Sequence, residues 1–204
     1  MMQYYIELTL LPDEDTSAYF LWSKVYTQLH IAFVEHIDEK EKIPFGVSFP
    51  QYGINRQKNI GFLGKKIRIF ANTEAELHQL NLGKWLERLV DYVHVTQPRD
   101  VPHAKVTGFA NYFRVNPKMN LEERIAHQAQ RRNISLNQAR QHFKEYIDHP
   151  IVEPYVSLKS LSAKREENID RPYRLYIGKS VADEAKEGTF GTYGLSRFST
   201  IPEF

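Results

Sequence analysis

An α+β fold in two parts is what this 204-residue sequence predicts. Three observations carry the prediction. Through the first hundred residues, period-two stripes and helical stripes alternate in the order strand, helix, strand, strand, helix, strand. Pro98 and Pro102 then interrupt the pattern. Beyond them the texture changes to two capped helices followed by extended segments.

Each element rests on a local pattern. Tyr4, Ile6, Leu8 and Leu10 alternate with Tyr5, Glu7 and Thr9, as in a half-buried strand. Pro12 and the acidic residues 13–15 lead into Ala18, Leu21, Trp22, Val25, Leu29, Ala32 and Phe33, one apolar helical face with negative charge near its start. Phe45, Val47 and Phe49 alternate up to Pro50, and Ile67 with Ile69 marks a third strand within 65–71. Thr73 and Glu76 form a capping box for a helix whose buried side is Leu77, Leu80, Trp85 and Leu89, with a break expected near Gly83. Residues 92–95 are β-branched and aromatic, and Pro98 ends them. This is the ferredoxin-like βαββαβ order, predicted for 1–97.

In 98–204, residues 106–115 read as extended. Asn120 with Glu123 caps a helix over 121–132, and Ser135 with Gln138 caps one expected to run until Pro150. Three extended pieces follow, at 152–158, 172–178 and 189–195.

Composition narrows the chemistry. A 42% hydrophobic content supports a real core, and the chain has no cysteine. Disulfides, thiolate nucleophiles and Cys-ligated metals are therefore excluded. No signal peptide and no run of about 18 apolar residues is present, which points to a soluble cytoplasmic protein without a membrane partner. The net charge of +2 is too small for a non-specific nucleic-acid binder. Yet between Arg114 and Lys144 there are seven Lys or Arg residues against two acids, a local cationic footprint that fits a phosphate backbone.

Within the 121–132 helix, Arg124, His127, Gln128 and Arg131 fall in one arc at about 100° per residue, beside an apolar arc of Leu121, Ile125 and Ala129. One face packs and its neighbour offers donors suited to phosphates and base edges in a groove. The plainer reading is a solvated, salt-bridged face. A helix-turn-helix that binds DNA is a third reading, because two short helices meet at Asn133 and Ile134.

His30 lies at the edge of the first helix's apolar stripe, one turn from Tyr26, where a lone histidine is commonly a packed core residue. His30 and His36 are roughly 240° apart around a helix and cannot chelate one metal from a single face. No zincin, calcium-loop or Walker motif occurs, so neither metal nor cofactor is expected. The stretch 61–64 imitates a KH clamp but lacks its flanking helices, and reads as a turn. For an RNA-binding chain without metal or cysteine, the accessible chemistry is attack by a ribose 2′-hydroxyl on its neighbouring phosphate. It needs a base near neutral pKa, a group that holds the ribose, and positive charge.

Four segments occur in order: Phe45-Gly46-Val47-Ser48-Phe49-Pro50, residues 155–162 (YVSLKSLS), Tyr173-Arg174-Leu175-Tyr176-Ile177 and Thr192-Tyr193-Gly194-Leu195-Ser196. Together they resemble the type I-F CRISPR-associated repeat endoribonucleases, nearly end to end. The resemblance implies a ferredoxin-like domain followed by a C-terminal α/β RNA-binding domain that inserts an Arg-containing helix into the groove of a repeat RNA stem-loop. It implies cleavage at the 3′ base of the stem. One copy then stays on the crRNA 3′ handle, beside the backbone and other subunits of a surveillance complex.

By the same resemblance His30 matches the catalytic histidine, Ser160 the serine that constrains the 2′-hydroxyl, and Tyr193 a tyrosine that orients the histidine. In the linker before the groove helix, Arg114 matches a reader of guanine, Asn116 stands where a relative has Gln, and Lys118 adds a cation. Tyr173 matches an aromatic stacked under the terminal base pair. Ala126, His127 and Gln130 stand where relatives can have Arg, which implies fewer phosphate contacts and a shallower salt slope. A non-catalytic hairpin-binding subunit is the alternative within the same resemblance.

Overall fold

The computed structural model describes residues 2–117, 119–146, 151–159 and 172–204. Two compact units divide the chain, one formed by 1–115 with 153–204 and the other by 116–152. The junction expected between 97 and 98 falls inside the first unit. The reason lies in the core: Ala110, Tyr112, Val156, Leu175 and Ile177 belong to the same buried cluster as Ile6, Leu8, Leu29 and Phe33. Among the described residues no helix is long and apolar enough to cross a membrane.

The first unit holds two main sheets. In the first, β1 (Tyr4–Leu10) and β5 (Lys66–Ala71) pair antiparallel with Ile6 opposite Ile69 and Leu8 opposite Ile67. The apolar stripes read from the sequence thus share one face. With β2 (Gly46–Ser48) and β6 (Val93–Val95) the order is β2-β5-β1-β6, and all neighbours are antiparallel. Two features leave no pattern in the sequence. The polar stretch after Pro50 is a hairpin of β3 (Gly53–Asn55) and β4 (Ile60–Phe62), so Gly61 and Phe62 are strand residues. Residues Arg99–Asp100 form β7 on β1. Both are too short for a period-two stripe to register.

Helix α1 (Ala18–Val34) buries Leu21, Trp22, Val25, Tyr26, Leu29, Ala32 and Phe33. Ser17 caps it, accepting from the Phe20 amide. The acids ahead of it do not sit in the first turn. Asp13 closes a turn by accepting from the amides of Asp15 and Thr16. In α2 (Glu74–Gln79) the capping box of Thr73 and Glu76 is formed. The break before α3 (Leu82–Trp85) falls at Asn81, whose φ of 46° halts the helix, and not at Gly83.

The second sheet runs β11-β8-β10-β9, from β8 (Gly108–Val115), β9 (Tyr155–Lys159), β10 (Pro172–Ala182) and β11 (Ile201–Glu203). The extended piece expected at 189–195 is a correction. Phe190 makes a single bridge to Ile43, residues 191–194 turn, and the strand comes later, at β11. Gly194, at a φ of 70°, makes that turn.

In the 116–152 unit, α4 (Leu121–Arg132) and α5 (Leu136–Gln141) both carry complete capping boxes. Ile125 and Ala129 pack on Ala139, with Leu121, Ile134 and Phe143 around them. The helix expected to continue to Pro150 ends at Gln141, capped by His142.

Candidate active site and nucleic-acid interface

Buried neighbours fix the register of α1 so that His30, one turn after the fully buried Tyr26, emerges half-buried at the edge of the core. The turn 191–195 meets it there. Its shape is held by the Gly194 amide on the Gly191 carbonyl and the Gly191 amide on the Leu195 carbonyl. It is pinned to β2 by the Val47 amide, which donates to Gly194 at 3.0 Å. A Cβ on Gly194 would lie 2.5 Å from the Val47 side chain, so only glycine allows this approach.

The turn delivers two groups to the histidine. The Thr192 carbonyl lies 2.9 Å from His30 Nδ1, and the Tyr193 ring stacks on the imidazole with centroids 4.1 Å apart and planes at 16°. A carbonyl only accepts, so Nδ1 carries the hydrogen and Nε2 of the neutral ring keeps its lone pair. Burial lowers the His30 pKa from its ordinary 6.5, while the Thr192 carbonyl opposes that shift. The result is a neutral imidazole with its basic nitrogen fixed in direction.

Tyr193 is itself restrained twice. The Tyr26 hydroxyl donates to its backbone carbonyl at 2.9 Å, and its own hydroxyl shares a 2.5 Å hydrogen bond with that of Tyr173 on β10. Burial and this bond push the Tyr173 pKa up, against the pull of the Arg114 charge. Arg114 lies on β8 opposite Ile177, so strand pairing sets Arg114 and Tyr173 on the same face of the second sheet. This corrects the expectation that Arg114 lies in a linker. His30, Tyr193, Tyr173 and Arg114 are thus brought together.

The other named residues divide differently. Ser160 and Lys118 lie outside the described residues. Asn116 opens the second unit and is exposed. Arg124, His127, Gln128 and Arg131 line one shallow cleft of about 170 Å³ along α4. Arg124 is partly engaged there, donating from Nε to the Met119 carbonyl at 2.9 Å and lying over the Tyr146 ring. Among the described residues, no group of three or more His, Asp or Glu side chains is placed to hold a metal ion.

Residues 5–204 match the family described as CRISPR-associated protein (Cas_Csy4). The chain belongs to this family. A relative named CRISPR-associated endonuclease Cas6/Csy4, from Pseudomonas aeruginosa (strain UCBPP-PA14), is 30% identical over 204 residues, covering all of both chains. Another of the same name, from Escherichia coli (strain UTI89 / UPEC), is 26% identical with the same coverage. A solved structure titled "An RAMP protein binding different RNA substrates" covers 98% of this chain and is itself covered in full, at 12% identity. Its TM-score of 0.31 is too low for a shared fold to be inferred.

Membership leaves this member's own side chains to be read from its structure. Nothing in the sequence marks Thr192 or Tyr26 as a site residue, although each sits within a turn of one that it does mark. Arg197, whose guanidinium lies 4.2 Å over the Phe113 ring and donates to the Arg114 carbonyl at 3.1 Å, gave no signal at all.

Proposed function

We propose that this Cas_Csy4 family member is a metal-independent endoribonuclease that cuts a CRISPR repeat RNA at the 3′ base of a stem-loop. His30 Nε2 takes the proton of the ribose 2′-hydroxyl. The 2′-oxygen bonds to the adjacent phosphorus, and the bond to the 5′-oxygen breaks. That oxygen leaves as a hydroxyl after taking a proton from water. The products are a 2′,3′-cyclic phosphate and a 5′-hydroxyl. Ser160 holds the 2′-hydroxyl, and Tyr193 keeps the imidazole in its working orientation.

In this reading Tyr173 covers the terminal base pair and Arg114 reads a guanine near it. Asn116, Lys118, Arg124, His127, Gln128 and Arg131 grip the stem. The same contacts hold the product, so the protein keeps the stem-loop as a subunit of a type I-F surveillance complex in the cytoplasm. The order β2-β5-β1-β6 with α1 and α2 as crossovers supports a ferredoxin-like reading of the first sheet, with β3 and β4 inserted.

The observation that carries the proposal is the neutral, oriented His30 under Tyr193, supported by the endonuclease names of the two relatives. The test is incubation of the protein with its repeat RNA in EDTA. Cleavage should persist there and disappear in His30→Ala or on RNA with 2′-deoxyribose at the scissile position. Loss under chelation refutes metal independence, and binding without any cleavage would leave a non-catalytic hairpin subunit.

A further inference from the structure

The site described above opens into a cleft two of whose cations, Lys42 and Arg197, carry none of these roles. Its volume is about 550 Å³, and it begins at Thr192 and Tyr193. One wall is the turn 38–42, ordered by the Asp38 carboxylate accepting from the amides of Lys40 and Lys42. The other wall is 191–197, with Phe113 and Arg114 between them. The turn is tied to the opposite wall by the paired backbone bonds of Ile43 and Phe190. Both walls are therefore built into the fold.

The charged lining is Lys42, Arg114 and Arg197 against Glu41. Among the described residues none of the three cations is in an ion pair. Arg197 is also held in place, stacked on Phe113 with one N–H donated to the Arg114 carbonyl. A guanidinium has five N–H donors in a planar fork, so most remain for a ligand. The volume suits one or two nucleotides and is too small for a helical duplex. The cleft starts at Thr192 and Tyr193, the two residues that contact His30, and so lies beside the proposed site of reaction.

We propose that this cleft binds the unpaired RNA strand adjoining the scissile phosphate, with Arg197 as its phosphate ligand and Lys42 facing it across the cleft. The proposal rests on the endoribonuclease reading and adds a single-strand subsite to it.

The test measures affinity by fluorescence anisotropy, using an uncleavable repeat hairpin with 2′-deoxyribose at the scissile position. Three forms are compared: with the 5′ flank, with the 3′ flank, and trimmed of both. The 3′ flank, which adjoins the scissile phosphate, should tighten binding to the protein at least fivefold, and the 5′ flank should not. Arg197→Gln should erase that advantage and reduce the salt slope on flanked RNA by about 0.7, the value for one phosphate on a single strand. Should Arg197→Gln fold poorly, Lys42→Ala carries the same test from the opposite wall. An advantage that survives the folded variants, or no advantage in the unaltered protein, overturns the proposal. In the latter case tight binding of the trimmed hairpin leaves the endoribonuclease reading intact, whereas failure to bind any hairpin removes that reading itself.

Discussion

Tyr173→Phe deletes a single oxygen and isolates one link in the site. The ring stays, so any cover over a terminal base pair stays with it. What is lost is the 2.5 Å bond to the Tyr193 hydroxyl. Tyr193 keeps its carbonyl bond from Tyr26 and its stack on His30, so it should loosen and not swing away. One neutral hydrogen bond contributes about 0.5–1.5 kcal/mol net, which caps the loss of rate at about tenfold if all of it is felt in the transition state. A free displacement of the base by about 1 Å would cost nearer a hundredfold. The expected result is therefore a two- to tenfold slower single-turnover cleavage at saturating protein. Affinity for the 2′-deoxy hairpin should stay within twofold. An unchanged rate would refute the claim that the tyrosine pair positions His30. A loss of affinity equal to the loss of rate would show that Tyr173 acts through binding alone.

Because burial lowers the His30 pKa and the neutral ring is the proposed base, kcat/KM should rise with pH to a plateau whose acid limb has its midpoint below 6.5. A midpoint above 6.5 in the free protein contradicts the burial. Gly194→Ala forces a φ of 70° on a residue with a Cβ and drives it against Val47. The backbone cost alone is about 1–3 kcal/mol, so a lower melting temperature and slower cleavage should appear together. Arg114→Ala should cost about 1–3 kcal/mol of affinity and relax discrimination at one base pair. Arg131→Ala should weaken all sequences alike and lower the salt slope by about one, and filter binding across a set of stem variants separates the two.

What the sequence showed follows from the reach of each signal. Capping boxes are local, and those at Thr73, Asn120 and Ser135 are all present in the structure. The apolar stripe of α1 likewise fixed which residues face the core. Signals that depend on distant partners were silent. Nothing near Arg197 announces that the Ser196 amide will bond to the Tyr112 carbonyl and that Phe113 will lie beneath the guanidinium. Nor does periodicity distinguish the 191–195 turn from a strand, since its conformation is set by bonds to β2 and by the close approach of Gly194 to Val47. The α5 stripe ran past the helix's real end because apolar residues still pack after the helix stops: Phe143 joins the Ala139 cluster from outside it. His30 was the hardest case. Its position on the stripe suits a core residue equally well, and only the Thr192 carbonyl and the Tyr193 ring, more than 160 residues away in sequence, orient its imidazole.

Those two neighbours exert opposite effects on the same ring, and together they suit it to one task. Covering the imidazole with Tyr193 and the core penalises the imidazolium, while the Thr192 carbonyl favours it. Without RNA the balance leaves His30 neutral and ready to accept a proton. In the proposed reaction the charge on the phosphate grows as the 2′-oxygen attacks, and that anion compensates the new imidazolium. Proton transfer to Nε2 is thus favoured only when the phosphorane is forming beside it. Burial that keeps the ring neutral at rest is thus offset by the growing anion at the moment of the proposed proton transfer.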